Sequence, residues 1–333
     1  MNLIIPMAGM GKRLRPHTLT TPKPLIPIAG LPIVQRLVQD IASVTPEAID
    51  NIAFIIGDFG TEIEEQLKQV AEEAGAEGHI FHQGEALGTA HAVFCAESVM
   101  KGKVAIAFAD TLFRTTFTLN TEDDGIIWVK QVDDPSAFGV VNLDESGIIT
   151  QFVEKPKTPV SDLAIIGIYY FKDGDQLRNE LQQIIDNKIM AGGEYQLTTA
   201  LENLKQKGTK FKAGKVDEWL DCGNKNATVE SNSRYLGFIG ENQISDLAVL
   251  ENCKIIPPVV IGDHTKIVNS TIGPGVSIGA DCSFEETVIE DSLIQNNVTL
   301  RNVNLVNSMV GNFVKVESTS GVVSLGDYSE LKG

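Results

Sequence analysis

Short apolar runs and helical stripes alternate along the first 225 residues of the chain. Apolar runs at Leu3–Pro6, Asn51–Ile56, His79–His82, Val104–Ala109, Gly125–Val132, Phe138–Leu143, Ile148–Val153 and Ala164–Phe171 predict strands. Helices are predicted at Ile33–Ser43, Thr61–Ala74, Thr89–Ser98, Gln176–Asn187 and Gln196–Gln206. In the second of these, Ile63, Leu67, Val70 and Ala74 recur at helical spacing, with acids and amides between them. Strands that alternate with helices imply an α/β fold with a mixed, mostly parallel sheet covered on both faces. Ligands of such sheets collect beyond the carboxyl ends of the strands. The glycine-bearing turn after the first strand belongs to that edge.

The pattern changes near residue 250. Branched or large apolar residues now recur every five or six positions: Ile255, Ile261, Ile267, Ile272, Ile278, Phe284, Ile289, Ile294, Leu300, Leu305, Val310 and Val316. Small or polar residues follow them, as in Ile261-Gly262-Asp263 and Ile278-Gly279-Ala280-Asp281. One such unit cannot bury its apolar residue alone, whereas stacked units share a continuous core. This hexapeptide repeat resembles the left-handed parallel β-helix, with three to four coils over 251–320; the handedness is implied by the resemblance alone. Four segments are thus expected: an α/β domain at 1–225, a helical linker at 226–250 with its helix at Ala227–Tyr235, the β-helix, and a tail at 321–333.

Composition narrows the functions. A formal net charge of −17 argues against nucleic acid as a partner, because a phosphate backbone would be repelled. A mononucleotide needs only a local basic cluster. No stretch approaches the length of an apolar membrane span, and the short first apolar run has its basic residues after it, unlike a secretion signal. Cys95, Cys222, Cys253 and Cys282 are scattered, with no Cys-x-x-Cys, so reduced thiols and a cytoplasmic setting are expected.

Candidate chemistry begins at Leu3-Ile4-Ile5-Pro6-Met7-Ala8-Gly9-Met10-Gly11-Lys12-Arg13-Leu14-Arg15-Pro16, followed by Pro22-Lys23-Pro24-Leu25. Glycines let backbone N–H groups approach an anion, and basic side chains neutralise it. A P-loop is excluded, because Arg13 follows Gly11-Lys12 and no glycine stands five residues before Gly11. A dinucleotide fingerprint is excluded too, since Leu14 holds its third glycine position. The run resembles the signature of the sugar-phosphate nucleotidyltransferases, Gly/Ala-Gly-x-Gly-Thr-Arg-Leu-x-Pro with a later Pro-Lys-Pro-Leu. Lys12 replaces the usual Thr.

Further segments extend the resemblance over nearly the whole chain. Gln83-Gly84-Glu85-Ala86-Leu87-Gly88-Thr89 is similar to the family's nucleobase loop, in which a Gln five residues before a Gly reads a pyrimidine. A carboxamide suits the N3–H and carbonyl edge of uracil or thymine. His91 reads as a structural histidine. Ala109-Asp110 stands for the family's Gly-Asp, and Trp219-Leu220-Asp221-Cys222-Gly223-Asn224 for Trp-x-Asp-x-Gly-Thr. These imply Asp110 and Asp221 as ligands of Mg²⁺, which takes one or two carboxylates beside phosphate oxygens. Phe138-Gly139-Val140-Val141 and Glu154-Lys155-Pro156 resemble the sugar-facing strand and the sugar clamp, with Glu154 accepting from hydroxyls and Lys155 on the phosphate. Ile165-Ile166-Gly167-Ile168-Tyr169 stands where the family often has Asn-Ala-Gly-Ile-Tyr, and Glu194-Tyr195-Gln196-Leu197-Thr198 fits Glu-Tyr-x-Leu-Thr.

The resemblance implies transfer of a nucleotidyl group from dTTP or UTP to a sugar-1-phosphate, by default glucose-1-phosphate, with release of pyrophosphate. Arg13, Lys23, Asp110 and Asp221 are the expected catalytic residues. Ala8, Gly9, Gly11, Lys12, Arg13, Gln83, Gly88 and Thr89 are expected to bind the nucleotide, and Gly139, Glu154, Lys155, Gly167 and Tyr169 the sugar phosphate. Homo-oligomers through the β-helix, trimers or multiples of them, are implied. Two rivals are a non-catalytic nucleotide-sugar sensor and a bifunctional uridylyltransferase and acyltransferase. The acyl reaction needs a base, and the sole histidine of the repeats is His264.

Overall fold

A computed structural model describes residues 1–156, 158 and 160–333. The chain divides into two compact units: Met1–Gly9 with Leu37–Trp219, and Met10–Arg36 with Leu220–Gly333. The expected boundary near residue 225 therefore misses one segment. Residues 10–36 cluster with the C-terminal half, because their contacts lie there.

The first unit is built on one nine-stranded sheet. Its strands are β1 Asn2–Pro6, β2 Asn51–Ile56, β3 Glu77–His82, β4 Val104–Ala107, β5 Gly125–Gln131, β6 Gly139–Leu143, β7 Ile149–Glu154, β8 Leu163–Phe171 and β9 Phe211–Lys215. Their spatial order is β7-β6-β8-β4-β1-β2-β3, with β5 pairing both β8 and β9. Pairing is parallel from β4 through β1 and β2 to β3, and antiparallel where β8 meets β4, β5 and β6. β1, β2 and β4 are apolar without alternation, as strands covered on both faces must be. β3 carries Glu77, His79 and His82 and is less buried, as suits an edge.

Helices α1 Ile33–Val44, α2 Thr61–Glu73, α3 Thr89–Phe94, α4 Gly174–Asp186, α5 Leu197–Gln206 and α6 Lys225–Ile239 match the helical stripes in place. Leu67 and Val70 of α2 are buried as their spacing requires. The expected helix Thr89–Ser98 ends early: Ala96 leaves helical angles and a short 3-10 turn follows at Glu97–Val99. The run Val104–Ala109 stops being strand at Ala107, because the Phe108 N–H turns to Gly167 O at 3.0 Å. Among the described residues no helix is long and apolar enough to cross a membrane.

The second unit is a left-handed parallel β-helix carrying α6 and residues 10–36. Its strands form three parallel sheets of six, six and five members, from Gln243–Ile244 to Glu330–Lys332. The stack is therefore longer than three to four coils, and it takes in both the polar end of the linker and the tail. Its terminal coils escape the repeat signature because they cap the core, with Ile244, Leu250, Leu325 and Leu331 only partly buried. Corner residues such as Asn252, Asn269, Asp281, Asn297, Asn302 and Asn307 take left-handed angles, which short polar side chains tolerate.

The coils are not equal. Val259 pairs with Val276, Ser277 with Leu293 and Met309 with Ser324, so the step falls from 17 residues to 16 and then 15. The shortening occurs at one corner, where Gly273-Pro274-Gly275 gives way to shorter links. α6 lies along that corner. Lys225 Nζ donates to Asn307 O, Asn232 Nδ2 to Gly275 O at 3.3 Å, and Ser233 Oγ to Asp291 Oδ1 at 2.7 Å.

Candidate active site

In the sheet unit, Ala8 and Gly9 leave the end of β1, where Met7 N–H still donates to Ile55 O at 2.8 Å. The loop after β3 holds Gln83 and Gly88. The Gln83 amide nitrogen donates to Gly88 O at 3.4 Å and approaches His91 Nδ1 at 3.2 Å. Its donors are thus used within the loop, and its carbonyl oxygen is left as an acceptor. Gly88 has φ 116, and a Cβ there would come within 2.4 Å of Tyr195 O and 2.7 Å of Tyr195 N. Tyr195 N–H donates to Leu87 O at 2.8 Å and Ala90 N–H to Tyr195 O at 2.9 Å. Thr89 Oγ1 accepts from Leu197 N–H at 2.9 Å.

The same segment reaches the sugar-side residues. Thr198 Oγ1 donates to Glu154 Oε2 at 3.2 Å. Glu154 is the register partner of Gly139, and a Cβ on Gly139 would stand 3.2 Å from Glu154 Oε2. The glycine therefore keeps the face beside the carboxylate open. Lys155 has φ 42, its N–H donates to Phe138 O at 3.1 Å, and its ammonium lies 3.7 Å from Glu154 Oε1. Tyr169 is buried. Burial, with the Glu154 and Asp110 charges adding, raises its hydroxyl above the ordinary tyrosine value, so it stays a donor. Gly167, at φ 88, packs on Phe108 in the turn that ends at Asp110. Ala109 is buried, so its extra methyl is accommodated. At the position of the family's Asn stands an apolar side chain: Ile165 Cδ1 would be 3.3 Å from a Gly139 Cβ.

In the coil unit, Gly11 opens the 3-10 turn Lys12–Leu14 at φ 56. Lys12 and Arg13 are exposed and Leu14 is buried between them and Arg15, so the turn shows its charges outward. Lys23 packs on Gly11, where a Cβ would come within 2.9 Å of the Lys23 Cβ. Asp221 and Arg13 meet at Gly223. A Cβ there would lie 2.9 Å from Asp221 Oδ1 and 3.1 Å from Arg13 Nη2. Asp221 Oδ1 also accepts the Gly223 N–H at 2.9 Å. Asn224 caps α6 by accepting Ala227 N–H at 3.1 Å, the task a Thr would also perform.

The structure thus gathers Gln83, Gly88 and Thr89 in one loop, and Gly139, Glu154, Lys155, Gly167, Tyr169 and Asp110 around β6, β7 and β8. It gathers Gly11, Lys12, Arg13, Lys23 and Asp221 within the other unit. Among the described residues, His, Cys, Asp and Glu do not form a set of three or more around one point. Asp110 in the sheet unit and Asp221 in the coil unit are each a carboxylate, the oxygen ligand that a hard ion such as magnesium takes. The missing side chain of Gly223 leaves open the space beside Asp221. Sequence reasoning overlooked His91 as the orienter of Gln83, Thr198 as the donor to Glu154, and Gly223 as a spacer. A weak signal existed for His91, which stands eight positions after Gln83 at the start of the helix that follows the loop; none existed for Thr198.

Residues 3–237 match the family described as nucleotidyl transferase. A glucose-1-phosphate thymidylyltransferase of Streptomyces griseus is 26% identical over 361 residues, covering 100% of this chain and 99% of that protein. The bifunctional protein GlmU of Methanocaldococcus jannaschii is 33% identical over 240 residues, which are 72% of this chain and 55% of that protein. Among solved structures, UDP-glucose pyrophosphorylase complexed with UDP-glucose matches in fold with a TM-score of 0.58 at 22% identity, over 71% of this chain and 98% of that one.

Proposed function

The chain belongs to the nucleotidyl transferase family, and from that premise we propose that it joins dTTP or UTP to a sugar-1-phosphate, glucose-1-phosphate by default. The chain is a sugar-1-phosphate nucleotidyltransferase; the nucleotide and the sugar are the proposed part. The observation that carries the reading is the segment Glu194–Thr198. Its Tyr195 is bonded into the Gln83–Gly88 loop, and its Thr198 is bonded to Glu154. A base reader and a polyol reader are thereby held at a fixed separation, as a nucleotide-sugar product requires. The carbonyl of Gln83 complements the N3–H of uracil or thymine, which cytosine lacks.

The reaction is an in-line displacement. An oxygen of the sugar phosphate bonds to the α-phosphorus, the bond from that phosphorus to the bridging oxygen breaks, and pyrophosphate leaves with the electron pair. The attacking phosphate is already anionic, so no protein base is required. Catalysis is positioning plus charge neutralisation. Arg13 binds the β- and γ-phosphates and meets the charge that grows on pyrophosphate. Lys23 contacts the α-phosphate. Lys155 holds the attacking phosphate, Glu154 accepts the sugar hydroxyls, and Gly139 leaves them room. Asp110 and Asp221 would hold Mg²⁺, whose chemistry when bound is to neutralise phosphate charge and polarise phosphoryl oxygens.

Pyrophosphate release from dTTP, UTP, GTP and CTP, each offered with a panel of sugar-1-phosphates, tests the reading. Turnover with dTTP or UTP is expected; release of none by any pair sinks it and leaves a non-catalytic sensor. For the acyltransferase rival, the one histidine of the repeats, His264, stands exposed at a corner with φ 56 and has no ion-pair partner among the described residues.

A further inference from the structure

The segment that carries Arg13 has little regular structure of its own. It contains two three-residue 3-10 turns, Lys12–Leu14 and Lys23–Leu25, and a hairpin of two-residue strands. Such a segment must be fixed from outside, because each free residue keeps about 1–2 kcal/mol of backbone entropy. The β-helix fixes it at two places. At the first, Ala29 N–H donates to Asn232 Oδ1 at 2.9 Å, and Ser277 Oγ donates to the same oxygen at 2.7 Å. Val260 packs so closely on Gly30 that a Cβ there would come within 2.9 Å.

The second place is the last coil. His17 is fully buried, and its Nε2 lies 3.0 Å from Ser324 Oγ. Thr20 Oγ1 donates to Asp327 Oδ2 at 2.7 Å. Gly326 leaves room for Pro16, whose Cβ would be 2.8 Å from a Cβ there. Asp327 is itself held, accepting Asn312 N–H at 2.8 Å and Asn312 Nδ2 at 3.2 Å. From this anchor the bonding continues to the turn: His17 N–H donates to Leu14 O at 3.1 Å and Thr18 Oγ1 to Gly11 O at 2.8 Å.

We propose that the last coil of the β-helix is a positioning element for nucleotidyl transfer, with Ser324 and Asp327 acting through His17 and Thr20 to hold Lys12–Leu14 and so aim Arg13. The inference rests on the reading of Arg13 as a triphosphate ligand. Ser324 and Asp327 do not touch substrate. Their effect is on where the guanidinium stands, and a displacement of about 1 Å can cost about a hundredfold in rate.

The test uses the full chain with Ser324→Ala, Thr20→Val, the hydroxyl-restoring Ser324→Thr, and Ser270→Ala as a control. Ser270 Oγ donates to Val268 O at 2.7 Å and accepts Thr287 N–H at 3.0 Å, within the stack. In Ser324→Ala and Thr20→Val, the amides of Leu14, His17 and Leu19 should exchange faster. With dTTP and glucose-1-phosphate, kcat/KM for dTTP should fall about tenfold while the KM for the sugar phosphate stays put. Ser324→Thr should recover most of that loss and Ser270→Ala should cause little. Unchanged exchange, or an equal loss in Ser270→Ala, overturns the proposal and makes the contact merely structural. Failure of the underlying reading is separately visible. The wild-type chain would then release no pyrophosphate whatever the exchange rates, and the positioning role would fall with it.

Discussion

Gly88 and Gly11 both stand at left-handed angles just ahead of a short helical turn, φ 116 and 56, and each opens a loop read as gripping part of a nucleotide. Their surroundings differ. A Cβ on Gly88 would strike main chain, Tyr195 O at 2.4 Å and Tyr195 N at 2.7 Å. One on Gly11 would strike side chains, Lys23 Cβ at 2.9 Å and Thr18 Cγ2 at 3.1 Å. The base loop is closed mainly by backbone, through the Tyr195–Leu87 and Ala90–Tyr195 bonds. The phosphate loop hangs on side chains that can be changed one at a time. A base is one flat shape throughout turnover, whereas the phosphate end changes from triphosphate to free pyrophosphate. Rigid closure suits the first, and a set of separable contacts suits the second.

The sharpest probe of the phosphate loop is Arg13→Ala. It should lower kcat a hundredfold or more, at unchanged circular dichroism, as expected for loss of one charge-stabilising donor. Near-normal turnover would remove the loop from the chemistry.

The anchor of that loop has its own signature in pH. Burial pushes His17 down from 6.5 to about 4, with Lys225 adding and Asp327 opposing. The folded chain then binds fewer protons there than the unfolded chain. The contribution is complete above pH 6.5 and is lost as pH falls towards 4, by about 3 kcal/mol. Urea unfolding followed from pH 7 to 4 should show a flatter loss in His17→Gln; parallel curves would mean that His17 is not neutral and buried.

Gly88→Ala addresses the other loop. Strain at φ 116 costs about 1–3 kcal/mol, so the KM for the nucleotide should rise about tenfold or more while the KM for the sugar phosphate holds. An unmoved nucleotide KM would break the contrast between the loops. The smallest effect is expected at Lys12, which is exposed. Lys12→Thr should change kcat/KM by no more than about threefold, in the range of solvent-exposed charge contacts. A tenfold loss would make Lys12 a phosphate ligand in its own right.

Legibility in the sequence followed burial. Asn51–Ile56 is a strand over the very residues its apolar run marks, because both faces are covered and nothing polar interrupts it. Phe211–Lys215 was not legible as a strand, since two lysines and a glycine hide a single buried phenylalanine. The ends of the stack are hidden for a related reason: Gln243–Ile244 brings only a half-buried isoleucine to the core and Ser320–Gly321 brings no large apolar residue. Candidate site residues on motifs, such as Gln83, Glu154 and Asp221, can be proposed from the chain alone. Their supports cannot. The partnership of Thr198 with Glu154 crosses 44 positions and that of His17 with Ser324 crosses 307, distances over which no local pattern carries information.

The match between α6 and the coil stack has a further consequence. A helix advances about 1.5 Å per residue and stacked coils lie about 4.8 Å apart, so Lys225 to Asn232 spans about two coils. That is the spacing between the corners of Asn307 and Gly275 that they touch. Residues 10–36 are pinned at both ends of a similar ruler, Thr20 to the last coil and Ala29 beside Ser277. Inserting or deleting one whole coil would shift Ser324 and Asp327 by about 5 Å against the other pin. A coil added or lost between Ser277 and Ser324 would therefore strain or release one of the two pins, whereas one added beyond Lys332 would leave both in place.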